Sequence, residues 1–237
     1  MALSASTDFI LTAQQVLEEA LTKIGGYVEG ESLSTTTLDR GRRTLNIMLK
    51  AMQNRGLHTQ IRRTVSVTPV NAQRSYTFGP SGADVTVGRP LKVLQVELQL
   101  TSDSSRMLLK QLTHQEYTEK NSRLVDDGNP VEWFYDPTIT SGTLYVWPIP
   151  DATTAADYTM QVIYRKPFDD IDALADNLEI PVNWYEAVVL GLASRLAHEY
   201  PLPIQTWHIL RKDAREALAE AEGEETEEFI QFTPDRD

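Results

Sequence analysis

The hydrophobic period of this chain changes twice, and that limits the folds open to it more than any other feature. Over the first 56 residues apolar side chains recur at steps of three and four, at Phe9, Ala13, Val16, Leu17, Ala20, Leu21 and Ile24, then at Leu38, Gly41, Leu45, Met48, Leu49 and Met52. This spacing predicts two amphipathic helices. Gly25 and Gly26 end the first, Gly56 caps the second, and Ser and Thr residues in the 29–37 loop suit N-capping. From residue 57 to about 165 the pattern shifts to β-branched and aromatic clusters broken by Pro, Gly, Asn and Asp: Thr64-Val65-Ser66-Val67, Ser75-Tyr76-Thr77-Phe78, 91–100, 106–109, Trp133-Phe134-Tyr135, 143–147 and 158–164. These read as strands. In 91–100, Leu94, Val96, Leu98 and Leu100 alternate with Gln95, Glu97 and Gln99, as a half-buried antiparallel strand requires. A short helix over 113–120 interrupts the sheet. Helical spacing then returns behind Pro181 at Trp184, Ala187, Val188, Gly191, Leu192 and Leu196, and again behind Pro203 at Trp207, Leu210, Ala214, Ala217, Leu218 and Ala221.

The economical assembly of these elements is α+β: a four-helix bundle formed by the N- and C-terminal helix pairs, with an inserted antiparallel β lobe and an extended C-terminal tail. The expected parts are a helical hairpin at 1–56, the β-rich lobe at 57–168, a second helical hairpin at 169–222 and an arm at 223–237. A compact chain of 237 residues removes roughly 70% of its unfolded surface from water, so neither metal nor disulfide is needed to hold it. With no cysteine, it lacks disulfides, thiolate nucleophiles and iron–sulfur ligands. No signal-peptide pattern opens the chain and nowhere do 18 apolar residues run together, so synthesis in the cytoplasm without a membrane span is expected.

Motifs for catalysis are nearly absent. There is no phosphate-binding glycine loop, no dinucleotide fingerprint and no H-E-x-x-H. Gly79-Pro80-Ser81-Gly82-Ala83 approaches a nucleophile elbow, but its last position is Ala and its composition suits a hairpin loop. The four histidines, His58, His114, His198 and His208, show no ligand spacing; only His198 and His208 could meet, across the turn between the last two helices. Asp169, Asp170, Asp172 and Asp176 lack the glycine and final glutamate of a calcium loop and suit a solvated lead into a helix. No catalytic residue, metal or cofactor is expected.

Charge is more informative. The net charge is −12, from 22 Lys and Arg against 34 Asp and Glu, which argues against a surface that grips nucleic acid everywhere. Residues 213–237 hold ten acids and two bases, −8 of that total, leaving −4 for the other 212 residues. Between residues 40 and 63 stand Arg40, Arg42, Arg43, Lys50, Arg55, Arg62 and Arg63 with no acid. Such a strip either meets nucleic-acid phosphates or an acidic partner, or is a solvated face paired with carboxylates nearby. The tail carries Glu222-Gly223-Glu224-Glu225-Thr226-Glu227-Glu228 and then Phe229-Ile230-Gln231-Phe232. It either packs back on the bundle or orders on a partner, with Phe229 and Phe232 entering pockets.

Several stretches together resemble a known family. They are Ala20-Leu21-Thr22-Lys23-Ile24-Gly25, Glu29-Gly30-Glu31, Leu45-Asn46-Ile47-Met48-Leu49, Gly56-Leu57, Leu144-Tyr145-Val146-Trp147-Pro148 and the run from Ile180-Pro181-Val182-Asn183-Trp184 to His198-Glu199-Tyr200. In this order, over nearly the whole chain, they resemble the head-to-tail adaptors of short-tailed bacteriophages, also called tail accessory factors or packaged-DNA stabilisation proteins. Ile180-Pro181-Val182-Asn183 stands where that family often has a proline-rich acidic pair, a departure that leaves the helix start intact. The resemblance implies a non-enzymatic virion protein of the neck, assembled in the host cytoplasm. It would form a ring of twelve beneath the portal protein, extend the channel for packaged DNA, retain that DNA and offer a platform to the tail tube, nozzle or fibre protein. On this reading Phe229, Ile230 and Phe232 bind the portal, and Arg40, Arg42, Arg43 and Lys50 face channel DNA or a neighbouring subunit.

Two other readings stand beside it. One is a phage cell-wall glycoside hydrolase using two carboxylates among Asp126, Asp127 and Asp136, which would need to flank a cleft. The other is a DNA-associated phage protein, which requires steeply salt-dependent duplex binding.

Overall fold

The structure, a computed structural model, describes residues 9–28, 30, 32–53, 62–121 and 126–224. Among them six α-helices and nine strands in two sheets form an α+β protein. The chain divides into two compact units, one made of residues 1–60 with 168–237 and the other of 61–167.

In the first unit α1 (Ala13–Lys23) starts at a capping box. The Thr12 hydroxyl accepts from the Gln15 amide, and the Gln15 side chain accepts from the Thr12 N–H. It ends with Gly25 at φ +68, where the Gly26 N–H reaches Leu21 O and the Gly25 N–H reaches Thr22 O. This left-handed cap satisfies carbonyls the helix would otherwise leave open and explains the glycine pair. In α2 (Thr35–Gln53) the buried residues Gly41, Leu45, Met48, Leu49 and Met52 form one stripe. A Cβ at Gly41 would overlap the Leu17 side chain, so glycine there lets α1 and α2 approach.

The later part of this unit is α5 (Tyr185–Leu196), entered through a 3-10 turn at Val182–Trp184, and α6 (Ile204–Glu224). Burial in α5 runs around most of the helix, at Tyr185, Ala187, Val188, Gly191, Leu192, Ala193 and Leu196. Such a helix sits at the centre of its neighbours rather than at a corner, and α5 packs against α1, α2 and α6. This corrects the expected four-helix bundle. Three helices lie on a central one, and beyond α5 the main packing of α6 is against the 3-10 turn at Val182–Trp184. The physical reason lies in α6, which buries little more than Leu210, Ala214 and Ala221 and so has too narrow an apolar stripe to close a ring of four.

Residues 168–178, where the chain re-enters the first unit, are fastened to both early helices. The Ala13 N–H donates to Asp176 O and the Gln14 N–H to Leu174 O, both at 2.9 Å, so two donors that a helix start leaves unpaired find carbonyls here. Asn46 on α2 makes a two-way clasp: its Nδ2 donates to Ile171 O at 3.0 Å, and its Oδ1 accepts from the Ile171 N–H at 2.9 Å.

The second unit carries β1 (Arg62–Val67), β2 (Ser75–Gly79), β3 (Val85–Thr86), β4 (Lys92–Leu100), β5 (Arg106–Leu108), β6 (Lys110–Gln111), α3 (His114–Asn121), β7 (Glu132–Pro137), β8 (Gly142–Trp147), α4 (Ala152–Asp157) and β9 (Tyr158–Arg165). They form two sheets, ordered β1-β9-β4-β5 and β3-β2-β8-β7-β6. The lobe therefore departs from the single antiparallel pattern, because the two-residue strands β3 and β6 pair in parallel at the edges of the second sheet. Both sheets contribute to one core, Val96, Leu98, Met160 and Val162 from the first and Tyr76, Phe78, Trp133 and Leu144 from the second. A bulge between Val93 and Gln95 shifts the phase of β4. Val93 is buried and Leu94 only half-buried, against the simple alternation, while Val96 and Leu98 keep their expected inward places. The Tyr135 hydroxyl donates to Pro90 O at 2.9 Å, and burial pushes its pKa up to about 12. Gly142 is needed opposite it, since a Cβ there would overlap that hydroxyl.

Two outcomes follow from these contacts. Asn46→Ala strands the Ile171 peptide, and chemical denaturation should show a loss of about 1–3 kcal/mol; an unchanged midpoint contradicts the clasp. The Asp84 carboxylate accepts from the Thr77 N–H and hydroxyl, both at 2.7 Å, and these bonds lower its pKa. Its contribution is full above the ordinary carboxylate range and fades as pH falls through the lowered folded value. The melting-temperature deficit of Asp84→Asn should therefore be largest at neutral pH and shrink on acidification.

Candidate functional site

The cations of α2 are mostly engaged within their own unit. Arg40 donates to the Glu199 carboxylate at 2.7 Å; that bond and charge raise its pKa above the ordinary value. Arg42 donates through Nη1 to Ile171 O at 3.1 Å and lies 3.9 Å from Asp39. Lys50 bonds to Phe168 O and meets the Asp170 carboxylate at 3.0 Å. Arg43 is exposed, and among the described residues its Nε donates to Asp39 O one turn back at 3.2 Å. Thus the acids at 169–176 do more than solvate a linker: Asp170 neutralises Lys50, and Asp176 Oδ2 accepts from the Asp172 and Ala173 amides. Arg62 and Arg63 open β1 in the other unit, and Arg55 and His58 lie outside the described residues.

A cleft of about 460 Å³ opens where the end of α2 faces α5 and α6, lined by Met52, Arg195, His198, Trp207, Arg211 and Arg215 among others. Trp207 meets both late histidines, its ring 5.1 Å from His198 and 5.0 Å from His208. The histidines are thus brought to one indole rather than to one metal, and among the described residues no group of three His, Asp or Glu is placed to hold an ion. The Arg211 guanidinium lies 5.3 Å over the same indole, and Arg195 donates to Gly191 O at 3.1 Å. The sequence reading missed this cluster as a site. Its signal is Trp207, Arg211 and Arg215 at successive steps of four, which places them on one helix face.

The residues considered for catalysis are not assembled into a centre. Ser81 is exposed in the loop between β2 and β3, which Asp84 ties back to Thr77. Asp126 and Asp127 pair through their backbones with Ile149, and Asp136 is an exposed residue of β7 opposite Thr143. The void beside Asp126 measures about 10 Å³, room for about one water and not for a sugar ring. Phe229, Ile230 and Phe232 lie outside the described residues. No helix among the described residues is long and apolar enough to cross a membrane.

No curated protein matches the chain. A family model does, and it matches residues 11–231, taking in the start of α1, both sheets, the central helix and the acidic stretch after α6. With a match of that extent, the chain belongs to the SU10 adaptor protein family and is a phage adaptor protein.

Proposed function

We propose that the protein is a head-to-tail adaptor that assembles as a ring of twelve beneath the portal, extends the channel for packaged DNA, helps retain that DNA and presents a platform to the next tail component. The family match over residues 11–231 carries this reading. A structural role suits a helix α2 whose Arg40, Arg42 and Lys50 fasten it to later segments of the chain. The arm at 223–237 reaches the portal, with Phe229, Ile230 and Phe232 as anchors. Aromatic side chains concentrate binding energy when they enter pockets, and twelve arms side by side gain further from effective concentration. Arg40, Arg42, Arg43 and Lys50 mark the face turned to channel DNA or to an acidic neighbouring subunit. Arg43 contributes most there, since its charge meets no carboxylate among the described residues.

Replacing Phe229 and Phe232 together by Ala should weaken co-sedimentation with the portal about a thousandfold while leaving the melting temperature unchanged, taking roughly 2 kcal/mol per anchor. Undiminished binding removes the arm from the portal contact. Arg43→Glu, which disturbs no bond between segments, should reduce ring assembly or DNA retention in heated, chelator-treated virions. Wild-type retention counts against a role for the strip. Electron microscopy of the protein with its portal tests the ring itself.

A further inference from the structure

We infer that the cationic cleft between α5 and α6 receives the acidic stretch at residues 224–228 of a second copy of this chain. The inference rests on the ring reading only in needing a neighbour.

The cleft has the chemistry of an anion site: arginines line it and, among the described residues, no carboxylate does. Arg211 and Arg215 stand one turn apart on α6, and among the described residues neither pairs with a carboxylate, whereas Lys212 and Glu216 pair with each other at 3.4 Å. Stacking over Trp207 holds the Arg211 guanidinium, so little side-chain freedom remains to be lost when a carboxylate arrives. Arg195 adds a third guanidinium to the lining. Trp207 itself keeps a buried indole N–H with no acceptor among the described residues, a donor that an entering carboxylate satisfies. Like charges gathered around one cleft repel each other, and an anion entering it relieves that repulsion.

The rest of the lining selects the anion. Ala51, Met52, Ala214 and Leu218 give the cleft an apolar floor, which suits the methylene stems of glutamate better than a sugar-phosphate backbone. The chain supplies such a segment: residues 224–228 read Glu-Glu-Thr-Glu-Glu, and between Arg215 and Arg236 there is no Lys or Arg.

Chain geometry favours a neighbour's stretch over the molecule's own. From Trp207 to the end of α6 at Glu224 is 17 residues, about 25 Å of helix at 1.5 Å per residue. The four residues after Glu224 span at most about 14 Å when fully extended. Doubling back, they fall short of Trp207 and Arg211, where the cleft is richest in donors. A stretch arriving from another subunit has no such limit. Carboxylates held on the neighbour would leave Phe229 and the residues after it free to continue toward the portal.

The test places a photo-cross-linking benzoylphenylalanine at Thr226 of the full chain and mixes nitrogen-15-labelled with unlabelled protein. Cross-links are then mapped by mass spectrometry in the isolated protein and in its portal complex. The expected result is a label-mixed cross-link to the 207–218 segment. It should fall at least tenfold in Arg211→Glu with Arg215→Glu and persist in Lys212→Glu. Cross-links confined to one chain, cross-links to another surface, or none in either preparation overturn the inference. So does loss of the cross-link on adding a short DNA duplex that itself cross-links to the cleft, which would assign the site to phosphate. A ring seen by microscopy without the cross-link removes this inference alone. The cross-link without a ring removes the ring reading and leaves the contact between copies.

Discussion

The helical unit depends on how residues 168–178 are held. A unit made from two stretches of chain more than a hundred residues apart pays a loop-closure cost before any contact between them rewards it, and this segment is where the contacts begin. Its carbonyls take the first free amides of α1, its Ile171 peptide is clasped from both sides by Asn46, and Arg42 and Lys50 add charge-assisted bonds to backbone oxygens. Each bond contributes modestly alone. Together they satisfy polar groups of an extended segment that has no sheet or helix of its own to do so.

With that segment in place, α5 can be almost wholly apolar. Trp184 at its entrance is completely buried, and Gly191 brings Met48 of α2 close to the helix backbone. Because α5 takes the central position, α6 has to pack mainly on it. The space left beside the end of α2 is the cleft that gathers Arg195, Arg211 and Arg215. The cationic cleft thus follows from the same packing that prevents a closed bundle.

The charge of the chain is divided rather than spread. Acids concentrate after residue 213, and the cations of α2 are largely used inside the molecule. On the reading proposed above, the contacts with other molecules are therefore local: Arg43, Arg211 and Arg215 of the cleft, and the acidic-aromatic stretch that follows α6. An adaptor has to meet different neighbours on different faces, and separated charges give each contact its own partner.

The sequence by itself determined the types of the longer elements, because a period of 3.6 or 2 is written in their side chains. The starts of α5 and α6 were legible from Pro181 and Pro203, the close of α1 from Gly25 and Gly26, and the inward places of Val96 and Leu98 in β4 from alternation. Helix α4 escaped notice, since Ala152–Asp157 carries no apolar stripe and depends on the Asp151 cap. The bulge at Leu94 also escaped, because one extra residue in a pairing leaves no mark on composition. Only the tertiary structure decided that α5 is central, that Lys50 and Arg42 serve residues 168–171, and that Trp207 meets both His198 and His208. Those outcomes depend on which residues distant in sequence come within a few ångströms, and neither hydrophobic spacing nor net charge specifies a partner across a hundred residues.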